Sequence, residues 1–471
     1  MDAKQKRNLA ITIIFGVLLW FCPVIPEGVK PEAWHLFAIF AATIVGFILS
    51  PLPIGAMAFI GITAAALLKV VTVKVAISGF GNGTIWLIIC AFLLARGFIK
   101  SGLGRRIAFL IIKAIGKSSL TLGYAITLSD LVIAPATPSS TARAGGILYP
   151  IIRSLSTALG SEPGETRRKF GAYIMQLEYQ ANAITCAMFM TAMAGNPLCV
   201  ELAAKAIGVE ITWGAWAMAA LVPGVISLII VPFLLYKIYP PEIKEMPTAR
   251  QMAMDELEKM GPMTRMEKIV AVVFVGSLAL WATSEFTRIG ATVVGMLAVS
   301  VLVLTSVLTW DDVLSEKGAW NTMFWMGALM SLAGALSSSG FIKTVAGMAG
   351  AAIQSAGMSW LSAFMLLIVI YVYSHYAFAS LSAHIGAMYA AFLAVAVSVG
   401  TPPLLAALAF GAVSNFMMSL THYGGGPAPI LYGDGFVTQG EWWKIGFIMT
   451  TVNLVIWLGI GSVWWKTIGL W

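Results

Sequence analysis

The chain has 471 residues, of which 59% are hydrophobic and only 11% charged. Soluble domains carry roughly 25% charged residues, so this chain lacks the polar side chains to cover a water-facing surface. Composition excludes a water-soluble enzyme, a secreted disulfide scaffold and a disordered chain, and leaves an all-α polytopic membrane protein.

Long unbroken apolar runs argue for helices, whose backbone groups are satisfied internally. They argue against a β-barrel, whose strands alternate apolar and polar residues. The net charge of +8 reads as membrane topology rather than nucleic-acid binding, because Lys and Arg collect in cytoplasmic loops. Cys22, Cys90, Cys186 and Cys199 form no C-x-x-C pair, so neither a metal site nor a disulfide framework is expected. No cofactor is expected either. The first apolar run, Leu9 to Val24, has no small-residue cleavage site after it and reads as a retained helix.

A crossing helix needs about 20 mostly apolar residues. On that measure, helices fall near 9–26, 34–50, 54–76 and 83–113. The stretch 119–157 is interrupted by PSSTARAGG at 138–146 and reads as a re-entrant hairpin. A helix over 168–207 breaks at Ala194-Gly195-Asn196-Pro197, and another helix covers 212–239. The polar stretch from Tyr239 to Lys268 is an aqueous linker that can hold a short surface helix. The pattern then restarts with 267–286, 289–308 and 320–350. A second hairpin, 359–399, turns at SLSAHIGAM, 380–388. A second broken helix, 404–436, is interrupted by THYGGGPAP at 421–429, and a last helix covers 440–466.

The domain organisation predicted is an extra N-terminal helix (1–32), a first repeat (33–239), a cytoplasmic linker (240–266) and a second repeat (267–471). Gly97-Phe98-Ile99-Lys100 recurs as Gly340-Phe341-Ile342-Lys343, and Ser139 and Ser382 stand at the same spacing. Each repeat contains an odd number of crossings, so the second copy enters from the opposite side. The expected architecture is about eleven transmembrane helices, two opposed re-entrant hairpins and two broken helices, arranged as inverted repeats. With the N-terminus inside, twenty of the 29 Lys and Arg residues fall inside and seven outside. Arg96 and Arg143 remain within the membrane. That asymmetry predicts a cytoplasmic N-terminus and an external C-terminus. Trp442-Trp443 and Trp464-Trp465 fit interfacial belts.

Unwound backbone at membrane depth is tolerated only where it lines a cavity or is buried in protein. Paired broken helices in inverted repeats point to a secondary transporter with a central site. Half-helix N-termini aimed at that centre suit an anion. The first tip offers Ser139, Ser140 and Thr141 as hydroxyl donors and Arg143 as a positive charge. The second offers Ser380, Ser382 and His384. The breaks add Thr191 and Asn196 in one repeat, and Ser419, Thr421, His422 and Gly424 to Gly426 in the other. Each has a bland reading. Ser and Thr in membrane helices often bond their own backbone or glue helices together, and Pro or Gly breaks are often simple kinks. An isolated intramembrane Arg or His reads as functional by default. His35 and His375 read as interfacial residues beside aromatics. Asp130 and Glu178 read as structural partners of Arg143 or Arg96, with a part in proton coupling as the alternative.

At these residues the chain resembles the divalent anion:sodium symporter family, the dicarboxylate and citrate carriers. The family's Ser-Asn-Thr tip motif, which binds carboxylate and sodium, corresponds to Ser139-Ser140-Thr141 and to Ser382-Ala383-His384. Both Asn positions are replaced, by Ser140 and Ala383, and the second Thr by His384. The strings PSSTARAGG, SAHIGAM and SLTHYGGGPAPILYG look like the exchanger branch, which includes 2-oxoglutarate/malate translocators and citrate/succinate antiporters. The resemblance implies a homodimer in which a mobile unit carries substrate past a scaffold in an elevator motion.

If Arg143 and His384 supply positive charge where sodium would sit, the chain needs no sodium. It then returns only with another anion bound, because moving unpaired charge through a low-dielectric barrier is costly. The expected function is exchange of di- or tricarboxylates, with membrane lipid as surroundings and no nucleic-acid partner. The nearest rival is a sodium-coupled symporter of the same fold. A membrane-embedded hydrolase or transferase finds no H-E-x-x-H or G-x-S-x-G motif, and a channel does not require opposed hairpins. The lack of a Ser-rich, acid-poor transit segment favours a bacterial inner membrane.

Overall fold

The computed structural model describes residues 1–471, the side chains of Pro247 and Glu285 excepted. It is helical throughout, with no strand among the described residues. Eight described helices are long and apolar enough to cross a membrane, or nine if the bent pair Lys317–Ser338 and Phe341–Ser355 forms one span. The chain is therefore a multi-pass membrane protein. Shorter apolar helices, Ile54–Leu67 and Ala291–Leu304, accompany these spans.

The order of elements repeats in detail. Each half contains a spanning helix followed at once by an amphipathic one: Gly83–Ser101 with Leu103–Ile115, then Lys317–Ser338 with Phe341–Ser355. Next come the first limbs of the hairpins, Ser119–Ile133 and Trp360–Tyr373. Serines cap both limbs: Ser118 accepts from the Thr121 backbone N–H and Ser359 from that of Ser362. A 3-10 turn closes each limb, at Ala134–Ala136 and Ser374–Ala377. Past each tip the returning limb begins with a π-helical turn, Ala142–Leu148 or Ile385–Tyr389. Such turns widen a helix and often mark functional sites. The broken helices follow: Gly171–Met188 with Gly195–Ile207, and Pro403–Phe416 with Ala428–Gly433.

Several expected boundaries move. The first helix is Ala3–Trp20 rather than 9–26, because Asp2 and Gln5 form a capping box ahead of the apolar run. The helix expected over 54–76 ends at Leu67, and a separate turn covers Val73–Ala76. The run 83–113 is two helices, split at Gly102, and 320–350 is split at Gly340. Both glycines adopt positive φ, +80° and +83°, a backbone conformation that favours glycine over residues with a side chain. This also corrects the repeat register. Gly102 and Gly340 occupy matching breaks, whereas Gly97-Phe98-Ile99-Lys100 closes a spanning helix and Gly340-Phe341-Ile342-Lys343 opens an amphipathic one. The tetrapeptide match is a coincidence of composition.

The broken helices form the centre of the molecule. Every residue of Gly171–Met188 is buried, as is 89% of the apolar window Pro403–Leu420. The N-terminal helix lies at the periphery, with Ile13, Ile14 and Leu18 exposed. The linker holds the helix Pro247–Met260. Arg106 grips its end, donating to the Gly261 carbonyl at 2.8 Å and pairing with Glu267 at 2.6 Å. The tryptophan belt is half corrected. Trp442 and Trp465 are 0% and 1% exposed and belong to the core.

Candidate functional site

The two hairpin tips are built alike, and the geometry sets their register. Ser139 accepts from the Ala142 backbone N–H at 3.1 Å, and Ser380 from that of Ala383 at 3.4 Å. The next residue of each turn bonds back in the same way: Arg143 N–H to the Ser139 carbonyl and His384 N–H to that of Ser380. Ser139 thus matches Ser380, Thr141 matches Ser382, and Arg143 matches His384. The expected pairing of Ser139 with Ser382 is two residues out of step. Thr141 and Ser382 are partly exposed, and neither hydroxyl has a hydrogen-bond partner among the described residues. Ser140 and Ala383 are buried.

Tips and breaks meet in one cluster. Each break is held by the 3-10 turn of its own hairpin. Thr191 donates to the Pro135 carbonyl at 2.7 Å, and His375 Nε2 donates to the Gly424 carbonyl at 2.8 Å. Each break also abuts the tip of the other hairpin. A methyl group on Gly426 would lie 2.0 Å from Thr141 Oγ1, and one on Gly195 would lie 2.7 Å from Ile385. Glycine at 426 lets the break approach the short Thr141 side chain this closely, whereas at 195 the neighbour is the flexible end of Ile385. The two broken helices are tied directly by Asn415, whose amide donates to Asn196 Oδ1 at 2.9 Å.

Arg143 is 0% exposed, and all five of its N–H groups are engaged by protein. Nε pairs with Asp130 at 2.6 Å, and Nη1 donates to the Thr137 and Ala192 carbonyls at 2.9 and 3.0 Å. Nη2 donates to Thr185 and Cys186 at 3.3 and 3.0 Å. Asp130 is held further by the Asn182 amide and the Thr185 hydroxyl. The expectation of an unpaired Arg143 charge is therefore corrected: Asp130 balances it, and no donor is left for a ligand. The structural reading of Asp130 stands. Glu178, its companion in that reading, has no partner among the described residues. Arg96, on Gly83–Ser101, lies beside Asp312 and Glu316, at 3.4 and 3.5 Å.

His384 uses a different device. It is 0% exposed and stacks on Phe378, with ring centroids 4.4 Å apart. Its Nδ1 lies 2.9 Å from Nδ1 of His375. A hydrogen bond needs one proton between two nitrogens, and His375 already carries another on Nε2 to reach the Gly424 carbonyl. Charge enters the pair only by protonation of His384 Nε2. That atom faces Ser374 Oγ at 3.5 Å, whose own proton goes to the Tyr371 carbonyl. Ser374 is thus available as an acceptor. His375, read as a bland interfacial residue, is instead fully buried and joins tip to break. No local motif signals this; only the approach of the two hairpin limbs does. His35 stacks on Trp20 at 4.0 Å.

The remaining expected residues divide by availability. Thr191 donates to Pro135 and accepts from Trp213 Nε1 at 3.1 Å. Asn196 donates to the Cys186 and Phe189 carbonyls at 2.7 and 3.0 Å. Both are engaged in holding the breaks. Thr421 and Ser419 are buried with hydroxyls that lack partners among the described residues. His422 is half-buried and accepts from Trp443 Nε1 at 3.0 Å on Nδ1, so its proton sits on Nε2, which is left for a ligand. No group of three or more metal-ligating His, Cys, Asp or Glu residues exists among the described residues.

A repeated hairpin-and-break unit whose polar turns converge at the centre of an all-helical membrane protein defines a secondary transporter. The chain belongs to the family described as the sodium:sulfate symporter transmembrane region, which it matches over residues 3–471. It is 50% identical to YflS of Bacillus subtilis, named provisionally for malate transport, across 100% of this chain and 98% of that protein. It is 49% identical to dicarboxylate transporter 1 of Spinacia oleracea chloroplasts, across 99% of this chain and 82% of that one. The fold also matches the solved structure of MtrF of Neisseria gonorrhoeae, of an antimetabolite efflux pump class, with TM-score 0.58 at 13% identity, covering 97% of this chain and 94% of that one. The expectation of a transporter rather than an enzyme is borne out by this family.

Proposed function

We propose that the chain exchanges dicarboxylates across the inner membrane of a bacterium, without sodium, by an elevator-type alternating-access motion. The relatives named for malate and dicarboxylate transport support the substrate class. The carrying observation is the position of Arg143. Its guanidinium fills a nest of oxygens: the Asp130 carboxylate, the Thr137 and Ala192 carbonyls and the Thr185 hydroxyl. Oxygen-rich nests at a helix break are where a transporter of this type holds a coupling cation. Here a covalently attached cation occupies the nest. It cannot leave with substrate, so no sodium gradient can drive the cycle through it.

The role of Arg143 is therefore to shape the first tip, not to grip the anion. Carboxylates are received by Thr141, Ser382 and the hydroxyls of Ser139 and Ser140, with Thr421, His422 and the glycine-rich backbone of the second break around them. His384 supplies positive charge when an anion stands beside it. Ala383, Thr191 and Asn196 serve the backbone of the site. Tricarboxylates such as citrate belong to the same substrate class. The N-terminus is cytoplasmic and the C-terminus external, as the distribution of basic residues favours. The repeats are inverted, and two copies of the chain associate in lipid as a homodimer.

Sodium-coupled symport is the second reading, favoured by the family's own description. Uptake of labelled malate into proteoliposomes loaded with unlabelled dicarboxylates decides the substrate class. Trans-stimulated uptake, competed by 2-oxoglutarate, malate or succinate, is expected. Uptake indifferent to all internal and competing dicarboxylates would contradict the proposal.

A further inference from the structure

Glu178 has no place in the site just described. It lies mid-helix in Gly171–Met188 and is 0% exposed, and neither carboxyl oxygen has a hydrogen-bond partner among the described residues. It stands one turn from Asn182, whose amide holds Asp130. The charged groups on the elements packed against its helix include Asp130 on the first hairpin limb, Arg143 on the π-helical turn, and Arg167, paired with Glu441 at 2.6 Å, beside Arg168 and Lys169 at the start of the helix. Arg143 is matched by Asp130 and has no free donor. Pro403–Phe416 and Ala428–Gly433, packed against the same helix, contain no charged residue. Arg153 on the returning limb is paired with Glu162 and Asp434, at 2.7 and 3.1 Å. Lys237, on Trp213–Ile238, lies over the Phe233 ring.

One buried arginine thus faces two buried acids. An ionised carboxylate in a dry interior costs several kcal/mol unless it is paired. Two carboxylates that share one cation do not both ionise. Asp130 has the guanidinium, an amide and a hydroxyl; Glu178 has nothing. The proton therefore resides on Glu178.

We propose that Glu178 is a proton-binding site, and that its protonated form is the one in which the carrier moves. With the proton bound, the Asp130–Arg143–Glu178 cluster is neutral and can move through a low-dielectric barrier. With the proton released to water, the cluster carries one net negative charge and is held in place. Both strokes of an exchange cycle require the proton, so it gates movement without net proton flux. The gating role rests on the exchange reading above; the proton site does not.

Infrared spectra of the purified protein at neutral pH, wild type against Glu178→Gln, test the site itself. The C=O stretch of a protonated carboxylic acid is expected in the wild type and missing from the variant. Absence of that band from the wild type overturns the proposal, whatever transport shows. Malate exchange in proteoliposomes tests the gating. Wild-type exchange is expected to fall about tenfold per pH unit above the Glu178 titration midpoint, whereas Glu178→Gln loses that limb and keeps only the pH dependence that His384 imposes. Identical pH profiles would overturn the gate while leaving the exchange reading intact. If Glu178→Gln does not fold, the wild-type band is titrated with and without malate. A shifted midpoint supports the linkage, and an unmoved one overturns it.

Discussion

The two hairpin tips share one backbone and differ in how they handle charge. At the first, Arg143 is permanently charged, fully bonded and balanced by Asp130. At the matching place in the second, His384 is joined to His375 through a single proton and has no carboxylate beside it. The first tip is therefore a fixed structural unit, and the second can change its charge. Both hairpins share the serine caps, the 3-10 turns and the π-helical turns, and differ in their side chains.

Removing Asp130 should have the largest effect. Asp130→Ala removes the carboxylate bonded to Arg143 and leaves only the unbonded Glu178 to balance the buried guanidinium, a loss of up to about 3–5 kcal/mol. Thermal unfolding in detergent is expected to show a much reduced midpoint, with exchange abolished. A near-normal midpoint would mean that the first tip is not the rigid one. The contact between first tip and second break is tested next. Gly426→Ala drives a methyl into Thr141 and should cost about 1–3 kcal/mol by overpacking, with loss of malate exchange. Gly146→Ala, where a methyl meets nothing within 4 Å, serves as the neutral control on the same tip.

The second tip should respond in function more than in stability. His375→Ala removes the partner of His384 and the bond to Gly424, worth about 1–3 kcal/mol for buried polar groups. His384→Ala should abolish exchange while the protein remains folded, as read by size-exclusion chromatography. Exchange unchanged over a range of malate concentrations would remove His384 from the site.

The smallest effect lies far from both tips, on the short helix Trp310–Ser315, where Asp312 pairs with Lys100 at 2.5 Å and joins the two halves. The Lys100 ammonium and the Thr309 backbone N–H donate to the carboxylate and hold it well below its usual value of 3.8, outweighing the opposing effect of burial. The folded-state value is depressed, so the pair stabilises fully above pH 3.8 and loses its effect as pH falls through the lower folded-state value. The contribution is about 1 kcal/mol for a pair so near the surface. The gap in unfolding midpoint between wild type and Asp312→Asn should be present at neutral pH and close on acidification.

Much of this architecture is legible in the residues. Hydropathy locates both hairpins and both broken helices, because a polar string inside an apolar run forces the helix to turn back or unwind where its groups find partners. Length alone hides the splits at Gly102 and Gly340, since an apolar run does not reveal where its backbone turns. A repeated tetrapeptide misleads the register; cap geometry, which depends on backbone bonds, corrects it. The cost of intramembrane charge marks Asp130 and Glu178 alike as partners for a buried arginine, and only the structure separates the paired acid from the unpaired one. The importance of His375 and Asn415 is illegible, because each acts on an element distant in sequence. The same holds for Trp442, whose burial reflects packing against Tyr179 rather than membrane depth.

The central claim is that Arg143 replaces a coupling cation at the first tip. It is tested most directly by labelled malate uptake into proteoliposomes with sodium or with choline outside, each with and without internal malate. The account predicts equal uptake in sodium and choline, and strong uptake only when malate is present inside. Uptake into empty vesicles, driven by an inward sodium gradient and lost in choline, would contradict it.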